Sequence, residues 1–433
     1  RDCSRLNRIS TRVVFKMSRE YFIDFLVICF GISAWVQLNG LWVQTPVLVQ
    51  QLPEGWKLSS YIVVITQLGN VGPLLYSLLK FTLKSKNFDY FLIHITLFLG
   101  TLSCILLSIF WKKTASIFGE NHSIALLVLG GIFAIVDCTS SVLYLPFMAN
   151  FKSQYFISYL IGEGFSGLIP SIVSLIQGIQ NSPACVNKTE IINGTSKTTL
   201  VPKYGEPRFS TSVFFIILAL LLVISWLAFH FLNKLASAKA SDSNRSLQIA
   251  GNAQFEVIGE GLSNSRLVIL LFIQTYICAL TNGILPAIES FSALPYGSTT
   301  FHVAVNLSTI SNPVACFIGF FKSNFQSDKV LGILTFLGSF FASYILFTAL
   351  SSPNPPLQNF FGSFLIIVSF TLCFGIFTYA KTVIASILRN NCSDNHKPLF
   401  WCGVFTQLGS AFGAFTIFIL VNSTKTFVAS NPC

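Results

Sequence analysis

Eleven stretches of about 20 mostly apolar residues each recur along the chain, and they restrict what it can fold into. A run of that length is what a hydrocarbon layer of ~30 Å demands of one α-helix. The runs do not alternate apolar with polar residues, so they are not the short strands of a membrane β-barrel. Only 10% of the 433 residues are charged and 53% are hydrophobic, where a soluble domain has about 25% charged residues. Too little polar surface is left to cover a water-soluble particle of this size. The expected fold is all-α: a polytopic membrane protein with about 11 transmembrane helices.

The runs place the spans at about 20–42, 59–80, 90–111, 123–148, 154–180, 211–233, 266–288, 300–321, 329–350, 359–386 and 398–421. The chain then divides into a cytoplasmic segment 1–19, a first bundle of six helices at 20–233 and a second of five at 266–421. A long outer loop spans 181–210, and an extracellular tail covers 422–433. The segment 234–265, rich in Ser, Ala and Asn, reads as a flexible cytoplasmic linker between the bundles. Met17 opens MSREYFIDFLVICF, a natural start for a first span, which makes residues 1–16 read as a leader. With the N-terminus inside, 19 of the 27 Lys and Arg fall in inner segments and 8 in outer ones. That bias predicts a cytoplasmic N-terminus and an extracellular C-terminus. Sequons at Asn121, Asn187 and Asn193 fall in the expected outer loops and are candidate glycosylation sites.

A net charge of +11 would suggest nucleic acid in a soluble protein; here it reads as Lys and Arg in inner loops facing a bilayer. No phosphate loop, HExxH or CxxC occurs, so no cofactor and no metal is expected. The eleven Cys lack metal spacing and read mostly as small apolar helix residues.

Polar residues inside the spans carry the functional signal. Asp137, Glu163 and Lys381 lie within spans, where an ionisable group is costly and faces a bundle interior or a cavity. A packing network for Asp137 and Glu163, and an interfacial ammonium for Lys381, are the alternatives. Amides are more numerous: Asn39, Gln44, Gln67, Asn70, Asn282, Asn306, Asn312 and Gln407 sit in or beside spans. Each carries a donor and an acceptor together. Amides and aromatics suit a neutral, planar, hydrogen-bonding solute, whereas an ion path would show stacked carboxylates. Pro46, Pro73, Pro146, Pro170, Pro286 and Pro313 interrupt spans, as happens in helices that line transport cavities.

The segment WVQLNGLWVQTPVLVQQLPEGWKLSSY resembles the first span and first outer loop of the eukaryotic riboflavin (vitamin B2) transporters, solute carrier family 52. The likeness continues at QLGNVGPLL, VDCTSSVLYLPFM, GEGFSGLIPSIVSLIQG, ALTNGILPAIESFSALPYG, HVAVNLSTISNPVA and WCGVFTQLGSAFGAF, in both halves and in order. The resemblance implies eleven spans, a fold similar to equilibrative nucleoside transporters and the major facilitator architecture, and sodium-independent uptake of riboflavin across the plasma membrane by alternating access. It implies no enzyme activity. Two departures stand out. The family pattern WVELP reads Trp42-Val43-Gln44-Thr45-Pro46 here, so an amide replaces an acid. Family cysteines of two outer loops correspond to Ala293 and Asn354, which leaves Cys185 and Cys433 as the candidate outer bridge.

The isoalloxazine ring of riboflavin wants aromatic stacking on its faces and paired donors and acceptors at its edge. On this reading Trp35, Asn39, Trp42 and Gln44 form one wall of the site. Gln67, Asn70, Thr139 and Glu163 extend it, and Asn282, Tyr296, His302 and Asn306 face it from the second bundle. Glu54, Asp137 and Lys381 are assigned gating or structural roles; Glu54 either pins an outer gate, caps the second helix or is a solvated acid. The rivals are a transporter of another planar solute such as a nucleoside, and a cell-surface receptor. An intramembrane enzyme is disfavoured because Asp137 has no acid partner on another span.

Overall fold

The computed structural model describes residues 21–83, 88–117, 119–148, 151, 153–179, 184–192, 195–203, 205–250, 263–321, 327–390 and 397–429. Among them, ten helices are long and apolar enough to cross a membrane. A bent pair, α1 (Tyr21–Ile32) and α2 (Val36–Val49), meeting at 53°, brings the number of spans to eleven. This is the expected number, and the chain is a multi-pass helical membrane protein.

After α2 follow α3 (Leu58–Leu68) and α4 (Val71–Leu83), which form one span broken at Gly69-Asn70, then α5 (Phe88–Phe110). A small hairpin, β1 (Ala115–Ile117) and β2 (Glu120–His122), leads into α6 (Ile124–Met148) and α7 (Ser153–Gln177). A second hairpin pairs β3 (Ala184–Ile192) antiparallel with β4 (Thr195–Lys203), in register from Ala184 opposite Lys203 to Ile192 opposite Thr195. Then come α8 (Thr211–Ala250) and α9 (Asn264–Ala279), a π-helical turn Leu280–Ile284, and α10 (Leu285–Ala293). The rest is α11 (Ser298–Phe321), α12 (Asp328–Leu350), α13 (Phe360–Asn390) and α14 (Lys397–Ser423). The end of the molecule bearing both hairpins is the hairpin face; the opposite end is the linker face.

Three expectations need correction. The first span does not stop before Pro46: α2 carries that proline in its interior and runs to Val49. The irregularity sits earlier, at residues 33–35, and is repaired by α6. A regular helix would join the Leu38 amide to the Ala34 carbonyl. Instead Leu38 N–H donates to Asp137 Oδ2 at 2.9 Å, and the Ala34 carbonyl accepts Ser140 Oγ at 2.7 Å. Second, the 234–265 linker begins as helix, with α8 continuing to Ala250. Its Ala, Leu, Lys, Arg and Gln are good helix formers and no Gly or Pro intervenes before Gly251. Third, the 181–210 loop holds the β3–β4 hairpin, consistent with Thr- and Ile-rich runs on either side of an Asn-Gly pair.

Small residues set the tightest crossings. Gly31 on α1 and Gly162 on α7 face each other so closely that a Cβ on either would run into the other helix's backbone. Gly283 does the same against Gly413 and Ala414 of α14. The first contact holds α7 against α1, and the second holds the π-turn against α14. Both help to shape the space described next.

Candidate substrate cavity

A cavity of about 500 Å³ lies between the N-terminal half of the chain (up to α8) and the C-terminal half (from α9). That is within the range of sites for drug-sized ligands, about 300–1,000 Å³. Helix α2 presents Leu38, Asn39 and Trp42 to it, with Trp35 just before the helix. The spacing i, i+3, i+4, i+7 is one helical face. The residues Val305, Ser308, Thr309 and Asn312 repeat that spacing on α11 from the other half.

At the middle of the molecule the amides bind one another across the two halves. Asn70 Nδ2 donates to Gln407 Oε1 at 2.9 Å, and Gln67 Nε2 donates to the Asn282 carbonyl at 3.3 Å. Asn282 Nδ2 in turn donates to Ser410 Oγ at 3.0 Å. The breaks at Gly69-Asn70 and at the π-turn are what bring these groups to the wall. Asn39 Nδ2 reaches Ser166 Oγ at 3.3 Å, and Thr378 donates to Asn312 Oδ1 at 2.6 Å. Lys381 Nζ stands 3.5 Å from Thr281 Oγ1.

The structure therefore brings together seven of the expected substrate residues: Trp35, Asn39, Trp42, Gln67, Asn70, Glu163 and Asn282. Lys381, assigned a gating or structural role, lines the same space. The other five lie elsewhere. Gln44 is on the face of α2 opposite Asn39, fully buried, and donates to Gln177 Oε1 at 2.5 Å. Thr139 donates to the Ile135 carbonyl of its own helix and packs on Gly72. Tyr296 donates to the Pro356 carbonyl at 2.8 Å in the hairpin-face loops. His302 and Asn306 both bond Ser174 Oγ, at 3.0 and 3.2 Å, and the Ser174 hydroxyl also reaches the Val43 carbonyl at 3.0 Å.

The remaining assignments resolve as follows. Asp137 mends the α1–α2 break. Glu54, with a side chain 1% exposed, accepts both the backbone N–H and the Oγ of Ser123 at 2.6 Å. It thus holds the start of α6, not of the second span. Asn121 and Asn187 are exposed on their hairpins; Asn193 lies outside the described residues. Cys185 is disulfide-bonded, and Cys433 lies outside the described residues.

Sequence reasoning missed the small hydroxyls of the wall: Thr66, Thr281, Ser308, Thr309, Thr378 and Ser410. For Ser308 and Thr309 the signal was present, since they share the helical face of Asn312. Glu289, an acid that closes the seventh span and to which the sequence assigns no role, also lines the cavity.

Eleven apolar spans in two facing halves, with a polar cavity between, define a transporter-type membrane protein. Solved structures agree on the fold. The nucleoside transporter NupG matches with a TM-score of 0.53 at 14% identity over 93% of this chain and 94% of that one. A D-xylose–proton symporter matches with a TM-score of 0.56 at 12% identity over 92% and 89%. Sequence narrows the class: the model of solute carrier family 52, riboflavin transporter, matches residues 19–257 and 248–429. Member 3-A of that family from Danio rerio is 37% identical, covering 95% of this chain and 98% of its own. Member 3 from Homo sapiens is 34% identical with the same coverage. The chain belongs to the solute carrier family 52 riboflavin transporters.

Proposed function

We propose that this chain carries riboflavin into cells across the plasma membrane, without sodium and without catalysis, by alternating access between its two halves. The observation that supports this most is the wall of the cavity. Trp35 and Trp42 supply ring faces for stacking, and beside them stand the amides Asn39, Gln67, Asn70 and Asn282. Such a set complements a planar, neutral ring with donors and acceptors along one edge. The aromatic stacking and amide pairing ask nothing of an ion gradient.

On this reading the hairpin face is extracellular, the N-terminus cytoplasmic and the C-terminus extracellular. Asn121, Asn187 and Asn193 are its glycosylation sites, and Cys185 pairs with Cys433 in the same compartment. The cross-half bonds of the hairpin face favour a state closed to the outside. Ser290 Oγ donates to the Trp56 carbonyl, Asn422 Nδ2 to Ser60 Oγ, and the Ser174–His302–Asn306 cluster ties α7 to α11. Opening outward breaks these bonds as the bundles 20–233 and 266–421 rock. Glu163 and Lys381, on opposite halves of the cavity, act in that motion as well as at the site.

Uptake of labelled riboflavin by cells expressing the chain tests the proposal. Competition by other flavins and none by nucleosides is the expected result, unchanged when sodium is replaced. Competition by nucleosides at equal potency would favour a transporter of another planar solute.

A further inference from the structure

The acids in and beside the spans divide by what they bind. Asp137 accepts a backbone N–H, Glu54 accepts Ser123 twice, and Asp24 accepts Ser158 Oγ. Asp89 is held by Tyr76 and Lys80, and Asp328 by Arg266. Two acids stand apart: neither Glu163 nor Glu289 has a side-chain hydrogen bond or an ion pair among the described residues, and both line the cavity. Glu289 is the more extreme. It is 5% exposed, and its Oε1 is buried with no partner. A buried carboxyl without a donor is expensive, so its persistence calls for a ligand that supplies one.

Its helix leaves it no alternative position. Ser290 is committed to the Trp56 carbonyl, and Ser292 shares a hydrogen bond with Thr348 Oγ1 at 2.7 Å. Ile288 and Phe291 are core residues, and Pro286 sits at the first turn. Helix α10 is thus fixed on the sides of its neighbours, and Glu289 is the polar group it presents to the cavity.

We propose that Glu289 is the acceptor for the ribityl hydroxyls of the bound flavin, and so selects a flavin with its polyol chain over a bare ring. The inference rests on the flavin reading of the cavity given above. The ring edge is a poor match for a carboxylate: its single N–H is flanked by two carbonyl oxygens that would repel the charge. Amides, which donate and accept together, fit that edge, and the cavity has six of them in Asn39, Gln67, Asn70, Asn282, Asn312 and Gln407. The ribityl chain offers neighbouring hydroxyls as donors, and the two oxygens of a carboxylate accept several at once.

The test is flavin binding to the purified full-length protein, read by quenching of flavin fluorescence. Riboflavin is compared with lumiflavin, which has the same ring and a methyl group in place of the ribityl chain. Glu289→Ala should raise the Kd for riboflavin about tenfold or more while moving that for lumiflavin less than about twofold. Glu289→Gln, which keeps the shape and one acceptor, should fall between; it carries the test if the alanine variant does not fold. Equal losses for both flavins, or no loss for riboflavin, would overturn the assignment. So would a wild-type protein that does not bind lumiflavin, because ring recognition by the amides is part of the argument. Absence of riboflavin binding to the wild type would instead remove the flavin reading itself. Asn39→Ala serves as the reference for that reading, and it should weaken both flavins.

Discussion

Two regions of this molecule place bonded amides and hydroxyls where the two halves meet, and one of them adds carboxyl groups that have no hydrogen bond among the described residues. Toward the hairpin face the polar groups bind each other. Ser174, His302, Asn306 and the Val43 carbonyl form one cluster, and Gln44 closes on Gln177. In the cavity, less than two helical turns away along α2, the amides are bonded as well, but two carboxyl groups, Glu289 and Glu163, line the wall with no side-chain hydrogen bond among the described residues. The difference teaches how to read a polar residue in a membrane span. One bonded to a neighbouring helix holds helices together, whereas a carboxyl at a cavity wall with no hydrogen bond is a candidate for a ligand.

The largest effect is expected at Asp137, which does not line the cavity and whose Oδ2 accepts the Leu38 N–H. Asp137→Ala leaves the Leu38 N–H unpaired and should cost about 1–3 kcal/mol, lowering the melting temperature of the purified protein. Asp137→Asn keeps an acceptor and should recover most of that loss. If Asp137→Ala left stability unchanged but abolished flavin binding, the division between the two classes would fail.

Asn39 tests the cavity side. Asn39→Ala should lower riboflavin affinity about fivefold to tenfold with normal surface expression, since it removes one donor–acceptor pair at the wall. Normal uptake by that variant would remove Asn39 from the site. Ser174→Ala tests the lock: it deletes a hydroxyl shared by Val43, His302 and Asn306, and should weaken closure of the hairpin face by about 1 kcal/mol. Faster labelling, from the hairpin side, of a cysteine introduced as Leu38→Cys is the readout, and an unchanged rate would argue against a lock there. The smallest effect belongs to Glu54. Glu54→Gln replaces a charged acceptor at the start of α6 by a neutral one, and should cost about 0.5–1 kcal/mol of stability with no change in flavin affinity.

The span count was legible because a bilayer imposes about 20 apolar residues on every crossing, whatever else the helix does. The cavity was legible in part. Asn39 and Trp42 share one face of α2, with Trp35 just before it, and helical spacing alone excludes Gln44 from that face. The same reasoning applied to α11 would have chosen Ser308, Thr309 and Asn312 over His302 and Asn306. Thr139 and Tyr296 were beyond reach, because their partners are a carbonyl of the same helix and a carbonyl 60 residues away. Neither partner has a sequence signature. The break at residues 33–35 was hidden for a similar reason: two side chains about 100 residues downstream take over its backbone bonds.

We propose that one face of α2 holds the vitamin while the opposite face, through Gln44 and Gln177, holds the helix. The most direct measurement pairs Trp42→Ala with Gln44→Leu in the purified protein, reading riboflavin Kd and melting temperature for each. Trp42→Ala should weaken binding by about tenfold or more with little change in melting temperature. Gln44→Leu should lower the melting temperature and leave the Kd of the folded protein within about twofold. The reverse pattern, with binding lost at Gln44 and kept at Trp42, would place the vitamin on the other face of α2.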